Sequence, residues 1–117
     1  MNEKILNNAG IDCHSGIRRF SGRADLYEKY LKKFPDDENM QLAKKAIEEK
    51  NYEELLEYVH TLKGVTGNLS ITELFGSCDE LVDILRAKEF NHADAIFKRI
   101  CLLYADVCKA IKAENEN

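Results

Sequence analysis

Residues 52–69 read YEELLEYVHTLKGVTGNL, and this stretch carries the clearest structural pattern in the 117-residue chain. At the roughly 100° turn per residue of an α-helix, most of its apolar side chains fall on one side of the helix. The members of that side are Leu55, Tyr58, Val59, Leu62, Val65, Thr66 and Leu69. Asn51 precedes the stretch and, with Glu54 three residues later, predicts an N-terminal cap. The stretch is therefore predicted to be an amphipathic helix that buries this side in a hydrophobic core.

Apolar residues recur every three or four positions in five further segments, which predicts five more helices. They cover about residues 12–20, 23–34, 37–50, 71–88 and 92–113. Pro35 ends the helix at 23–34, because proline cannot continue a helix. Ser70 and Glu73 have the spacing of a capping box before the helix at 71–88, and Asn91 is the predicted cap of the last helix. Since the alternating pattern of strands is missing, the sequence predicts an all-α protein.

The last four predicted helices are long and are joined by connections of a few residues. Short connections make consecutive helices antiparallel, so the predicted architecture is an up-down-up-down four-helix bundle with two short N-terminal helices packed over one end. The length suits a single domain with one core, which is predicted over residues 10–113. The polar ends, residues 1–9 and 114–117, are predicted to be flexible.

The composition excludes several classes of partner and location. The net charge is −4, and no stripe of lysine and arginine with interleaved aromatic residues is present, so nucleic acid is not an expected partner. No apolar run is long enough to cross a bilayer, and the N-terminal residues lack the apolar core of a signal peptide, so no membrane association is expected. The four cysteines form no C-x-x-C pair and are expected to be free thiols in a reducing cytoplasm, rather than metal ligands or disulfides. They are Cys13, Cys78, Cys101 and Cys108.

The side of the 52–69 helix that faces away from the predicted core is unusual. His60 lies at its centre, and Gly64 and Gly67 follow four and seven residues later on the same face. Glycine inside a helix costs about 1 kcal/mol relative to alanine, and here it removes side chains from the strip beside the imidazole. The sequence favours a strip that a partner protein or a bulky ligand can approach closely. Close packing of the glycines against a neighbouring helix is the alternative.

An exposed neutral imidazole is a nucleophile, and phosphorylation of its nitrogen gives a labile bond suited to a relay. Lys63 lies one turn from His60 on the same face, where its ammonium would help to neutralise a phosphoryl group. Leu56, one turn away on the other side, has no predicted core to enter and is a candidate for docking a partner. Because no general base, oxyanion hole or metal cage lies nearby in sequence, the partner is expected to supply the electrostatics for transfer.

The run His60-Thr-Leu-Lys63-Gly64-Val-Thr-Gly67 resembles the signature of histidine-containing phosphotransfer (HPt) domains of multistep two-component phosphorelays. That signature reads His-x-Leu-Lys-Gly, with a further small residue three positions on. Segments 10–12, 17–20 and 26–34 also look like the first two helices of the family, so the resemblance covers about residues 10–112.

The resemblance implies a phosphorelay module that carries a phosphoryl group on His60 between receiver-domain aspartates. It implies that Lys63 assists at the phosphoryl group and that Gly64 and Gly67 admit the receiver domain. The implied partners are receiver domains of a hybrid histidine kinase or a response regulator, which would hold Mg²⁺ in their own acidic pocket. No cofactor is implied in this chain, which is expected to be a monomer without ATP-dependent autokinase activity.

Three other classes of protein share some of these sequence features. A sensor histidine kinase would follow the histidine with an acidic residue and a nearby proline, whereas Thr61 follows His60 here and Pro35 is the only proline. The Glu-x-x-His spacings at 57–60 and 89–92 resemble di-iron bundles, but the first pair faces outward and the second spans a predicted turn. A non-catalytic HPt-like helical adaptor that binds receiver domains stays open as an alternative. The remaining histidines, His14 and His92, are expected to be ordinary surface residues.

Overall fold

A computed structural model describes residues 1–115, and these residues form an all-helical structure. The α-helices in this range are α1 Glu3–Asn8, α2 Cys13–Arg19, α3 Ala24–Lys33, α4 Asn39–Glu48, α5 Tyr52–Asn68, α6 Thr72–Arg86 and α7 Ala93–Asn115. A short 3₁₀ turn at Phe34–Asp36 lies two residues before α4, and another at Phe90–His92 comes directly before α7. The predicted all-α fold class is therefore confirmed.

Helix α5 lies at the centre of the packing, because it contacts both α4 and α6, and α6 in turn contacts α7. The predicted inward side of α5 is buried at Leu55, Val59, Leu62, Thr66 and Leu69, and half-buried at Tyr58 and Val65. The one polar member of the buried set is satisfied within the helix, since the Thr66 hydroxyl donates to the Leu62 carbonyl at 2.8 Å. The apolar period of this segment therefore predicted the core face of α5 correctly.

The N-terminal segment differs from the prediction. Residues 1–9 were expected to be flexible, but residues Glu3–Asn8 form helix α1, which packs against α7. Leu6 is fully buried in this contact, and Asn2 caps the helix by accepting a hydrogen bond from the Ile5 N–H at 3.4 Å. The prediction of two short N-terminal helices is therefore wrong by one, because a single buried leucine anchors a helix too short to show a clear period.

The N-terminal segment is also joined to the turn between α5 and α6. Ile11 and Ile71 form an isolated antiparallel bridge, in which the Asp12 N–H donates to the Ser70 carbonyl at 2.8 Å. The Thr72 N–H donates to the Gly10 carbonyl at 2.9 Å. The predicted capping box is therefore wrong, since the N-cap residue of α6 is Ile71, which makes no side-chain hydrogen bond. The carbonyl of Gly10 instead accepts the hydrogen bond of the free N–H at the start of α6.

Helix α2 lies close to α3 because of a glycine. A Cβ atom at Gly16 would be 2.2 Å from the ring of Tyr27, so only glycine allows this approach. Tyr27 is fully buried, and its hydroxyl donates to the Leu69 carbonyl at the end of α5 at 2.6 Å. Burial also raises the pKa of this phenol, so it stays a neutral donor. These contacts fix α2 and α3 against the C-terminal end of α5.

Of the two asparagines predicted to cap helices, only Asn51 does so in the structure. Asn51 caps α5 as predicted, because its side chain accepts a hydrogen bond from the Glu54 N–H at 3.1 Å. Asn91 is no cap, since it lies inside the second 3₁₀ turn, where Phe90 stacks on Tyr52 with ring centroids 4.4 Å apart.

At the C-terminus, helix α7 extends to Asn115, so it includes two of the residues 114–117 that the sequence predicts to be flexible. Residues 116 and 117 lie outside the described residues. Among the helices of residues 1–115, none is long and apolar enough to cross a membrane.

Candidate functional site

The imidazole of His60 is exposed, midway along α5, as the helix projection predicts. The two flanking core positions, Val59 and Leu62, are buried, so the backbone that carries the ring is held by the bundle interior. The ring itself has access to solvent and to a partner. Helix α5 therefore presents an exposed imidazole on a rigid support.

An open groove of about 520 Å³ lies beside the ring. Its lining includes residues of three helices, α2, α5 and α6. The structure thus brings together His60, Lys63, Gly64 and Gly67, four of the five residues that the sequence singled out. The roles of these four residues stay predictions.

The two glycines of this face have different surroundings. A Cβ atom at Gly64 would have no atom within 4 Å outside its own helix neighbourhood, so this position is bare surface. A Cβ atom at Gly67 would lie 3.1 Å from the ring of Phe75 on α6, which is tighter than an ordinary carbon contact. The open-strip interpretation therefore fits Gly64, whereas Gly67 follows the alternative of close packing against a neighbouring helix.

Lys63 is partly buried and forms an ion pair across the α5–α6 contact. Its Nζ lies 2.9 Å from Oδ1 of Asp79, with 28% of the lysine side chain and 45% of the aspartate side chain exposed. An ammonium has three donors, so this pair leaves capacity for a second anion near His60. The carboxylate nevertheless offsets part of the positive charge of Lys63.

Leu56 does not lie where the sequence analysis placed it. The prediction gave it no core to enter, but its side chain is half-buried and packs against the hydrophobic core. Helix α5 has neighbours on two sides, α4 and α6, so its buried arc is wider than a single inward direction implies. Leu56 is also not part of the groove lining, and its role in docking a partner stays a prediction.

The groove contains residues that the sequence analysis missed. Ser15 and Arg19 of α2 form part of the wall, and Thr72 and Phe75 of α6 contribute to the lining. The spacing of Ser15 and Arg19, four residues apart, was a weak signal that they share a helix face. No local pattern showed that this face would lie beside His60, since that depends on how α2 packs.

The other candidate reactive groups lie elsewhere. His14 and His92 are exposed and lie outside the groove lining. Burial raises the pKa of the Cys13 thiol to about 11 and that of Cys78 to about 12, so both remain protonated and unreactive at neutral pH. Within residues 1–115, no three His, Cys, Asp or Glu side chains are grouped so that they could hold a metal ion.

Comparison with known proteins adds an independent observation. Neither the curated proteins nor the solved structures contain a match to this chain. The family model described as "Hpt domain" matches residues 25–113, well over half of the 117 residues. This match includes the exposed histidine and the whole of α5. The chain therefore belongs to the Hpt domain family.

Proposed function

We propose that this protein carries a phosphoryl group on His60 and passes it between receiver-domain aspartates of a phosphorelay. The observation that carries the proposal is the exposed imidazole on a rigid helix, next to the open position at Gly64 and the ammonium of Lys63. Hpt domains act in phosphotransfer within two-component phosphorelays and interact with receiver domains. The family and the site geometry therefore support the same chemistry.

In the proposed step, a lone pair of the neutral imidazole attacks the phosphorus of a receiver aspartyl phosphate. The bond from phosphorus to Nε2 forms while the bond to the aspartate oxygen breaks, and that oxygen keeps the electron pair as a carboxylate. The other ring nitrogen, Nδ1, keeps its proton. The same step in reverse delivers the group to a second receiver aspartate. Mg²⁺ bound in the receiver would neutralise charge during transfer.

Three groove residues beside His60 each have a distinct proposed part in this step. Gly64 leaves room for the receiver backbone to approach the ring, because a side chain there would project into the open strip. Lys63 would place one of its free N–H donors on a phosphoryl oxygen. Gly67 would act indirectly, by letting Phe75 of α6 close one wall of the groove.

The finer points of architecture and cell biology belong to the same proposal. We propose that α4 to α7 run alternately up and down, with α1 to α3 over one end, because the connections between the long helices are short. The chain would act as a monomer in the cytoplasm, which suits its four free cysteines. It would have no ATP-dependent autokinase activity, so label from ATP alone would contradict the proposal.

The test is phosphorylation by a panel of phosphorylated receiver domains, with wild type compared with His60→Gln. We expect acid-labile, alkali-stable label on wild type and a loss of at least about a hundredfold in the variant, because no other ring nitrogen occupies the site. His14→Gln and His92→Gln are matched controls, since both rings are exposed and lie outside the groove. Replacement of an exposed side chain changes stability by about 0.5 kcal/mol or less, so all three variants should unfold like wild type.

Two results would contradict the proposal. Label that survives in His60→Gln would place the phosphoryl group elsewhere. Wild type that binds receivers but takes no label from any of them would support the non-catalytic adaptor instead.

A further inference from the structure

The charges that line the groove are of one sign. Arg19 and Lys63 are its charged residues, and no carboxylate is part of the lining, although the chain as a whole has a net charge of −4. The other polar members are hydroxyl and amide groups, which can also donate hydrogen bonds to an anion. The groove therefore has the chemistry of an anion site on a chain that is negative overall.

The two cations are not equivalent. Lys63 is paired with Asp79 at 2.9 Å, so its charge is partly offset before any anion arrives. Arg19 takes part in none of the salt bridges formed within residues 1–115. The uncompensated positive charge of the groove is therefore that of Arg19.

The position of Arg19 is fixed by the packing of α2. Ser15, one turn earlier on the same face, accepts a hydrogen bond from the Ser70 hydroxyl at 3.2 Å. The Asp12 N–H bond to the Ser70 carbonyl and the close contact of Gly16 with Tyr27 hold the same helix. Arg19 is thus held beside the groove by a fixed backbone, while its exposed guanidinium stays free to reach an anion there. It precedes residues 25–113, so the family match gives it no role.

We propose that Arg19 is a second phosphoryl-binding residue, whose guanidinium contacts the phosphoryl group on His60; this rests on the function proposed above. A phosphoryl group carries a charge of about −1.5 to −2 near neutral pH and three acceptor oxygens. A guanidinium matches two of these oxygens with parallel N–H donors, which an ammonium cannot do. Lys63 and Arg19 would then contact the group from α5 and α2, respectively.

The test uses the full chain, phosphorylated on His60 with phosphoramidate as a small donor. In that reaction the phosphorus–nitrogen bond of the donor breaks, the bond to Nε2 forms and ammonia leaves. The ionisation of the phosphoryl group is then followed by ³¹P nuclear magnetic resonance across pH. In Arg19→Gln we expect the acid dissociation constant of the phosphoryl group to fall about threefold to fivefold, because loss of a nearby cation raises its pKa.

Arg18→Gln is the matched control, because Arg18 is the preceding residue, is exposed and does not line the groove. It removes the same charge and should leave the dissociation constant within about 1.5-fold of wild type. Arg19→Lys should restore part of the effect, since it keeps the charge but lacks the paired donors.

The outcomes separate this inference from the proposed function. If wild type takes label on His60 but Arg19→Gln and Arg18→Gln titrate alike, Arg19 does not bind the phosphoryl group and the relay proposal stands. If wild type takes no label from phosphoramidate or from receivers, the proposed function fails, and the role of Arg19 fails with it. A shift in Arg19→Gln alone, with unchanged thermal unfolding, supports the inference.

Discussion

Alanine at the two groove glycines provides a direct test of the site geometry. Gly64→Ala and Gly67→Ala add the same methyl group to the same helix, three residues apart. The difference between them lies outside the helix, because the first methyl would enter open space and the second would meet the Phe75 ring at 3.1 Å. We therefore expect the two variants to differ in stability although their helix propensities change equally.

The magnitudes follow from these contacts. Replacing glycine by alanine inside a helix stabilises it by about 1 kcal/mol, and Gly64→Ala should show this full gain. At Gly67 the same gain is opposed by overpacking, which typically costs about 1–3 kcal/mol. Since Phe75 is only half-buried and can shift by a few tenths of an ångström, we expect a cost near the lower end of that range. Gly67→Ala should then be unchanged or destabilised by about 1 kcal/mol.

The assay is urea unfolding of the full chain, followed by far-ultraviolet circular dichroism, with wild type measured in parallel. A gain of about 1 kcal/mol in Gly64→Ala corresponds to a rise of about 0.3–1 M in the urea midpoint, because the urea dependence of the free energy of unfolding is about 1–3 kcal/mol/M for small proteins. Equal stabilisation of both variants would show that Phe75 does not limit Gly67. Destabilisation by Gly64→Ala would show that the strip beside His60 is covered, which would remove the basis for receiver access.

Three further predictions concern the packing, the ion pair and the thiols. Gly16→Ala should destabilise the protein by about 1–3 kcal/mol or more, because its methyl group would overlap the Tyr27 ring at 2.2 Å. The same urea assay measures this loss, and an unchanged free energy of unfolding would contradict it. Asp79→Asn should raise the equilibrium share of phosphoryl group on His60, relative to a labelling receiver, by about twofold to fivefold, because it frees the charge of Lys63. Glu80→Gln is its control, since Glu80 pairs with Arg99 instead, and an equal change in both variants would refute a specific role. Finally, burial raises the pKa of Cys13 to about 11 and that of Cys78 to about 12 from 9.0. Because only the unfolded chain then forms thiolates, these two thiols should lower the folding stability as the pH rises from 9 towards 11, and they should add no pH dependence well below pH 9. A urea midpoint that stays flat from about pH 8 to pH 10.5 would contradict this.

The parts of the structure that were predictable from sequence depend on local periodicity. The buried side of α5, the exposure of His60 and the Asn51 cap all follow from residues within one helix and its first turn. The short run from His60 to Gly67 was also sufficient to indicate the family. These features require no knowledge of which helices are neighbours.

The parts that were not predictable depend on contacts between distant segments. Gly67 shares the outward face with His60, but α6 starts just after the turn at Ser70 and brings Phe75 over it. Leu56 is half-buried because α5 packs against both α4 and α6, and the side of the helix that each neighbour covers cannot be read from the helix alone. Lys63 and Asp79 pair across 16 positions of the chain. Arg19 lines the same groove as His60 although the two residues are still farther apart in sequence. No local pattern encodes either contact.

The attachment of residues 10–12 to the α5–α6 turn has a practical consequence for fragments of this protein. A fragment that begins at residue 25, the first position of the family match, would lack Leu6, Ile11 and Cys13, all of which are buried. Its remaining chain would expose the apolar surface that these side chains cover, and the Thr72 N–H would lose its acceptor. Such a fragment would be prone to self-association, because large exposed apolar patches bind one another. The segment that completes the hydrophobic core is thus longer than the segment by which the family is detected.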